Sequence, residues 1–312
     1  MMAASPSTLL DPSLLAVTTR LALTARQLVA DAVAGQHASR RPGISREFSQ
    51  YRAYQPGDEP RHIDWKLFAR SDRYYIRESE VTTRLAISLV LDATASMQHR
   101  GAEPKNPSKL AAATALAAAF AYLAERQGDP LTLHIVSDGL VKSVLTAGQR
   151  QPFHRIVHAL AGVTAEGRWP TESQLLTHAM QRAELSGASV GPGTTAHLTI
   201  VLTDGHEHSG EIRASLAPLR ALRHELLLVH FIAPDERDFP YTGTVRFEEW
   251  ETGRTLTADA AAVRADFLAA EEREQSAWRR GWGDRNFDYL PLVTNEPLAK
   301  GLRHTLLRRA RR

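Results

Sequence analysis

An apolar run in the first half of the chain ends abruptly on a carboxylate. Residues 85–91 read LAISLVL, and Asp92 follows directly. An uninterrupted run of this kind is typical of a strand that is buried on both faces, as in a parallel sheet. A second apolar run, at 197–202, is also followed by oxygen-bearing side chains. The polar residues after the two runs are Asp92, Thr94, Ser96, Thr203 and Asp204. Since open α/β sheets bind ligands at the carboxyl ends of their strands, we expect these side chains to share one crevice.

From residue 85 onward, strand-like and helix-like segments alternate. This alternation predicts an α/β fold with a mostly parallel central sheet, flanked by helices and connected by right-handed crossovers. The predicted strands lie at 85–92, 131–137, 141–146, 197–203, 225–232 and 287–293. The predicted helices lie at 108–127, 151–161, 173–185, 209–224 and 257–280, with one more at the end of the chain and a hairpin around VRFEEWETG. Asp138-Gly139 favours a two-residue hairpin turn, so we expect 141–146 to be an antiparallel edge strand.

The first 84 residues have a different character. Apolar residues recur at helical spacing between Ser13 and Gly35, which favours an N-terminal helix. Residues 45–80 combine extended aromatic pieces, a Pro56-Gly57 turn and a short helical stretch, which together predict a β-rich arm. We therefore divide the chain into two parts. Residues 1–84 hold the N-terminal helix and the arm, and residues 85–312 hold the α/β domain with a C-terminal hairpin and helices.

Composition excludes several classes of protein. The chain has 312 residues, and its formal net charge of +3 is too small to indicate nucleic-acid binding. It contains no cysteine, which excludes disulfides and thiolate zinc sites. Asp11, Arg20 and Arg26 interrupt the apolar stretch that a signal peptide would need, and no window holds the roughly 18 consecutive apolar residues of a membrane span. We expect a cytoplasmic protein without a membrane span.

The side chains expected in the crevice suit a hard cation. Mg²⁺ prefers oxygen ligands in near-octahedral geometry and keeps several waters, so a few carboxylates and hydroxyls suffice. Asp92, Thr94 and Ser96 occupy alternate positions after a strand and can point to one side. Asp204 would add a second carboxylate, and Thr171 is the best candidate for a hydroxyl from a third loop. Such a site is coordinatively incomplete, so an acidic side chain from a partner could complete it. The alternative is structural, since Asp, Ser and Thr after strands often cap the next turn.

Motifs on both sides of the first apolar run resemble those of a known family. The matching segments are Glu47-Phe48, Arg52-Ala53-Tyr54, Pro56-Gly57-Asp58, Arg61, Ile63-Asp64-Trp65, Ala69-Arg70 and the run LVLDATASM. In these segments the chain resembles the domain-of-unknown-function 58 (DUF58) family, a branch of the von Willebrand factor A-like domains. The likeness spans nearly the whole chain and includes Gly128-Asp129, Pro234-Asp235-Glu236 and the closing leucine-rich helix.

This resemblance implies a Rossmann-like fold of the von Willebrand A type with a metal-ion-dependent adhesion site for Mg²⁺ or Mn²⁺. It also implies association with MoxR-type AAA+ ATPases, which act in chaperone-like assembly or maturation of other proteins. Asp92, Thr94 and Ser96 match the first motif of that site, and Asp204 matches its distant aspartate. Thr94 stands where serine is commoner and keeps the hydroxyl. The pair Thr171-Glu172 stands where threonine-aspartate is commoner.

The segment from Pro56 to Arg70 is the most specific part of the resemblance and carries no obvious chemistry. Its candidates for a surface that docks the ATPase are Asp58, Arg61, Asp64, Trp65 and Arg70. The alternative is that the charged members pair with one another and fix the arm, since buried charges need partners.

Most signs of catalysis in the chain can be set aside. Ser189 lies in GASVG, which matches a nucleophile elbow but lacks the strand that must precede it. His206 and His208 lack a third ligand at zinc spacing, and the chain has no phosphate loop of an ATPase. We therefore predict a non-enzymatic protein-interaction module. Two alternatives stay open: a metal-dependent hydrolase in which Asp92 and Asp204 hold the ion and His206 is the base, and a metal-free structural adaptor.

Overall fold

The computed structural model describes residues 19–27, 29, 50–54, 63, 65–78, 84–145, 151–185, 194–221, 225–280 and 286–309. The chain divides into two units, of which one comprises Gln36–Thr83 and the other comprises Met1–Gly35 with Arg84–Arg312. In the smaller unit, strand β1 (Gln50–Ala53) pairs antiparallel with β2 (Tyr75–Glu78). Helix α1 (Trp65–Ser71) lies between them in sequence. In its described residues, this unit is the predicted β-rich arm with a short helix.

The larger unit follows the predicted alternation of strands and helices. Its strands are β3 (Arg84–Asp92), β4 (Leu131–Ser137), β5 (Leu140–Leu145), β6 (Thr194–Thr203), β7 (Glu225–Ile232), β8 (Thr244–Glu248), β9 (Thr255–Asp259) and β10 (Phe287–Val293). C-terminal to Arg84, its helices are α2 (Lys109–Gln127), α3 (Pro152–Ala161), α4 (Gln174–Leu185), α5 (Glu211–Ala221), α6 (Pro234–Asp238), α7 (Ala260–Arg280) and α8 (Leu298–Arg309). A single 3-10 turn, Ala95–Gln98, follows β3.

Six strands form the central sheet, in the order β10-β7-β6-β3-β4-β5. The first five of these run parallel, and β5 is antiparallel to β4. Asp138 and Gly139, which join β4 to β5, have φ values of 46° and 70°. Positive φ at both central residues is the type I′ geometry of a two-residue hairpin. The mostly parallel α/β fold and its antiparallel edge strand are therefore confirmed.

Helices cover both faces of the sheet because its strands are apolar on both faces. Successive side chains of a strand point to opposite faces, and β3 shows this directly. Leu89 and Leu91 join one apolar cluster, to which α2 and α3 contribute, whereas Val90 joins a second cluster closed by α4, α5 and Trp278 of α7. The sheet is thus the middle of three layers.

Helix α2 starts beside the carboxyl ends of the strands. The hydroxyl of Ser108 caps this start by accepting a hydrogen bond from the N–H of Ala111 at 3.1 Å. Gly128 ends the helix in the left-handed conformation, with φ of 72°. The first residue of this alanine-rich helix is Lys109, whose side chain is buried.

Several predicted boundaries differ from those observed. Helix α7 begins at Ala260, not at 257, because residues 255–259 pair with β8 as the second strand of the predicted hairpin. The predicted helix at 13–35 is described at 19–27 and 29, where it is helical, and its remainder lies outside the described residues, as does the Pro56-Gly57 turn. No helix in the described part of the chain is long and apolar enough to cross a membrane.

Candidate metal centre

Oxygen-bearing side chains meet where β3 and β6 end side by side. The Oδ1 atom of Asp92 accepts hydrogen bonds from the backbone N–H of Thr94 at 2.9 Å and from the Thr94 hydroxyl at 2.7 Å. Its Oδ2 atom accepts one from the Thr203 hydroxyl at 2.6 Å. The hydroxyl oxygens of Thr94 and Ser96 lie 3.1 Å apart. All four of these residues are buried. The two strand ends therefore form one polar cluster beneath the surface.

The loop after β3 is anchored both to the apolar core and to a neighbouring loop. Ala93 and Met97 are buried in the apolar cluster next to β3. The backbone between them is held to the loop at 162–173, since Ala95 donates its N–H to the carbonyl of Gly167 at 3.0 Å and Glu166 donates to the carbonyl of Ala93 at 2.9 Å. Alternate residues thus serve the core and the polar cluster.

The donor set of this cluster fits a hard divalent cation. Every polar side-chain atom of Asp92, Thr94 and Ser96 is an oxygen, which is the ligand that Mg²⁺ prefers. Adjacent ligands of an octahedral Mg²⁺ site are about 2.9 Å apart, and the Thr94 and Ser96 oxygens are 3.1 Å apart. These three residues would hold the ion, with Asp204 as a further carboxylate. Such an ion supplies an electrophilic position to which a carboxylate can bind.

A buried lysine lies at the same carboxyl end of the sheet. The Nζ atom of Lys109 donates to Oδ2 of Asp204 at 3.0 Å and to Oε1 of Glu236 at 2.6 Å. The side chains of Lys109 and Asp204 are 4% and 1% exposed, while that of Glu236 is 26% exposed. Glu236 is held at the start of the short helix α6, because its Oε2 atom accepts a hydrogen bond from the backbone N–H of Ala233 at 2.7 Å. Asp204 therefore already has an internal cation against it.

The three buried charged groups at this end of the sheet have pKa values shifted in different directions. Burial, together with the nearby Asp204, raises the pKa of Asp92 to about 7, against the hydrogen bonds from Thr203 and Thr94. Burial also disfavours the charge of Asp204, but the Lys109 ammonium and His206, with the hydrogen bonds that both donate, together hold the pKa of Asp204 below its ordinary value. Burial opposes the charge of Lys109 as well, and Asp204 and Glu236 overcome it, so the pKa of Lys109 lies above its ordinary range. The negative charge of Asp204 is thus balanced by the Lys109 ammonium, whereas among the described residues Asp92 accepts hydrogen bonds from neutral groups only.

The family model described as "Protein of unknown function DUF58" matches residues 50–277, which is most of the chain. The chain belongs to the DUF58 family.

Two kinds of relative accompany this match. The chain is 28% identical over 265 residues to an uncharacterized protein of Mycobacterium bovis, covering 83% of this chain and 78% of that protein. Among solved structures it is similar to the conserved hypothetical protein BatB from Bacteroides thetaiotaomicron, with a TM-score of 0.42 and 13% identity, covering 73% of this chain and 100% of BatB. It is also similar to the SpRpn10 VWA domain, with a TM-score of 0.39 and 9% identity, covering 70% and 94% of the two chains.

The loop at 162–173 of this DUF58 chain, which carries Thr171, contacts the cluster through its backbone. Contact with the end of β3 is made at Glu166 and Gly167. Trp169 then turns inward, where its Nε1 donates to the hydroxyl of Ser215 at 3.1 Å. Thr171 and Glu172 follow on the surface and are exposed. The structure therefore places Thr171 at the surface and not within the buried cluster.

The docking candidates of the DUF58 signature are described only in part. Asp58, Arg61 and Asp64 lie outside the described residues. Trp65 is 59% exposed, and Arg70 is also exposed. The Trp65 ring packs edge-on against Phe68 and Tyr74, with centroid distances of 6.2 and 6.5 Å. The smaller unit thus presents an aromatic cluster with a largely exposed tryptophan.

The sequence analysis does not predict two of the charged residues beside Asp204, which are Lys109 and Glu236. One signal was available for Lys109: a cation in the first turn of a helix opposes the helix dipole, so its presence there needs another reason. That reason is the pair of carboxylates it contacts. Glu236 lies 127 positions away in sequence, and no local pattern connects it to Lys109.

Proposed function

We propose that this DUF58 protein is a non-enzymatic protein-interaction module with a Mg²⁺-dependent adhesion-type site, formed by Asp92, Thr94, Ser96 and Asp204 with Thr171 at its rim. We further propose that its partner is a MoxR-type AAA+ ATPase, and that the pair acts in chaperone-like assembly or maturation of other proteins. The observation that carries the proposal is the cluster of carboxylate and hydroxyl oxygens at the carboxyl ends of β3 and β6. Their spacing suits a small hard cation.

The position of His206 supports recognition over hydrolysis. A hydrolytic role would need His206 as a base beside the ion. The contact that His206 makes with Asp204 is through its backbone N–H, at 3.1 Å. Its imidazole faces the β8–β9 hairpin instead, with Nε2 3.9 Å from Oε1 of Glu249. A cation in the cluster would therefore meet a partner carboxylate more readily than a water activated by this ring.

The partner assignment rests on the family resemblance and on the smaller unit. Exposed tryptophan and arginine side chains often dominate the energy of protein interfaces, and Trp65 and Arg70 are both exposed. With Asp58, Arg61 and Asp64 they form the proposed docking surface. A partner that consumes ATP places this contact in the cytoplasm.

Metal binding can be tested by thermal unfolding in EDTA, Mg²⁺ or Mn²⁺. An ion that binds only the folded state stabilises it by about 2.7 kcal/mol at one hundred times its Kd. We expect the midpoint of the wild type to rise with metal and that of Asp92→Asn to stay constant. Asp266→Asn is the matched control, because it removes the same charge from an exposed position on α7. A midpoint that ignores metal in the wild type would favour the metal-free adaptor.

Partner capture is tested with a purified MoxR-type ATPase from the same organism. We expect capture in Mg²⁺ and its loss in EDTA, in Asp92→Asn and in Trp65→Ala. Leu256→Ala is the control, because Leu256 is a comparably exposed apolar residue, at 64%, on β9. Undiminished capture by Asp92→Asn would show that the metal bridge is wrong. Metal-stimulated turnover of a phosphoester or peptide that Asp204→Asn abolishes would favour the hydrolase instead.

A further inference from the structure

Two histidines and a glutamate meet on loops that the cluster of Asp92 does not use. His206 and His208 lie between β6 and α5, and Glu249 follows β8 at the tip of the β8–β9 hairpin. One possible ligand atom from each of the three lies within 4.8 Å of the other two. Oε1 of Glu249 is 3.4 Å from Nδ1 of His208 and 3.9 Å from Nε2 of His206. The third ligand that is missing near the histidines in sequence is therefore supplied by the fold.

A buried carboxylate stands behind one of these histidines. The side chain of Glu251 is 2% exposed, and its Oε2 lies 3.1 Å from Nε2 of His208. Its Oε1 is buried and has no hydrogen-bond partner among the described residues. Burying a carboxylate is costly unless it is compensated. A carboxylate that accepts the second ring N–H of a histidine is what orients that ring towards a metal and fixes its tautomer.

The backbone that carries these side chains is held without any help from a metal. The N–H of His206 donates to Oδ1 of Asp204 at 3.1 Å, and that of His208 donates to Oε1 of Glu211 at 2.9 Å. On the hairpin, the N–H of Glu249 donates to the carbonyl of Arg254 at 2.9 Å. The backbone segments that carry the ligands are therefore positioned in advance, which lowers the entropy lost when an ion binds.

We propose that His206, His208 and Glu249 bind one Zn²⁺ ion, with Glu251 as the residue that positions His208. Two imidazoles and a carboxylate suit zinc, whereas an all-oxygen cluster suits Mg²⁺. In a tetrahedral zinc site the ligand atoms are about 3.3 Å apart. The two distances to Glu249 are 3.4 and 3.9 Å, and all three ligand atoms lie within 4.8 Å of one another, so the side chains would move closer together on binding the ion. Three protein ligands leave the fourth position to water or to a ligand from another molecule.

The test is a titration of the full chain, purified without a histidine tag and stripped with EDTA. We expect one equivalent of Co²⁺ to produce the visible absorption bands of a four-coordinate site. One equivalent of Zn²⁺ should displace the Co²⁺ and remove these bands, whereas excess Mg²⁺ should leave them unchanged. His208→Ala and Glu249→Gln should abolish the signal, and Glu251→Gln should weaken binding about 10- to 100-fold. His178→Ala, at an exposed histidine on α4, is the matched control and should leave the signal intact.

Fluorescence locates the ion independently of these variants. Trp250 lies between Glu249 and Glu251 and is 50% exposed, so a bound Co²⁺ should quench it, and Trp250→Phe should remove most of the quenching. Asp92→Asn should keep the site. If His208→Ala binds Co²⁺ as tightly as the wild type while its circular dichroism is unchanged, the proposal is wrong. It is equally wrong if Asp92→Asn abolishes Co²⁺ binding, because the ion would then occupy the other cluster.

Discussion

Lys109→Met removes the buried ammonium between Asp204 and Glu236 and leaves a side chain of similar length. The Asp204 side chain is 1% exposed, so it cannot exchange the lost hydrogen bond for water, whereas Glu236 is 26% exposed and can. Removing one partner of a buried ion pair costs about 3–5 kcal/mol, because the other charge stays buried and unpaired. We therefore expect the free energy of unfolding to fall by that amount. At about 2 °C per kcal/mol for a domain of this size, the thermal midpoint should fall by at least about 6 °C.

The assay is urea unfolding at neutral pH in EDTA, so that no divalent cation replaces the lost charge. Glu236→Gln is the control, because it keeps the contact between Lys109 and Asp204 at 3.0 Å. It should cost about 1 kcal/mol. The double variant Lys109→Met, Asp204→Asn leaves no unpaired buried charge at this position and should recover much of the loss. A Lys109→Met protein within about 1 kcal/mol of the wild type, or a double variant no more stable than Lys109→Met, would refute the reasoning.

Two further predictions concern positions away from this ion pair. Burial on β4 lowers the pKa of His134 to about 4, whereas in the unfolded chain His134 has a pKa near 6.5. The contribution of the neutral His134 to the free energy of unfolding is therefore fully present above pH 6.5 and is lost as the pH falls towards 4. Urea unfolding between pH 7.5 and 4.5 should show a slope in the wild type that is shallower in His134→Leu by up to about 1.4 kcal/mol per pH unit, and equal slopes would contradict this. A Cβ on Gly167, at φ +65°, would lie 2.3 Å from Cα of Asp138, whereas Gly253, at φ +69°, has open space around it. Gly167→Ala should therefore cost about 1–3 kcal/mol more than Gly253→Ala in thermal unfolding, and equal losses would rule out the collision.

Local sequence patterns predict most of the architecture because they report on neighbouring residues. The unbroken apolar run before Asp92 indicates a strand buried on both faces, and β3 lies at the middle of the sheet. The Asp138-Gly139 pair predicts a hairpin, and both residues adopt the positive φ that it needs. The hydroxyls of Thr94 and Ser96 meet beside Asp92 because they are separated from it by two and four positions. None of these features requires knowledge of a distant part of the chain.

The sequence predicts that Asp92 and Thr203 share one crevice, but the strand order and the individual contacts between strands follow from tertiary structure alone. Asp92 meets Thr203, 111 positions away, because β3 and β6 are neighbours in the sheet. The sequence predicts that Thr171 adds a hydroxyl to the site, whereas in the structure Thr171 is exposed, two positions after the buried Trp169. Periodicity reveals which face of an element is buried but not which element covers it.

The sequence by itself determined the α/β class, the antiparallel edge strand and the oxygen donors that follow β3, since each depends on residues within one element or one turn. Only the tertiary structure decided that Lys109 compensates Asp204 and that Glu249 joins His206 and His208. These contacts pair a helix start with a strand end, and a hairpin tip with a loop. A charge on one element finds its counterpart on another only when packing of the apolar faces has fixed where both elements lie.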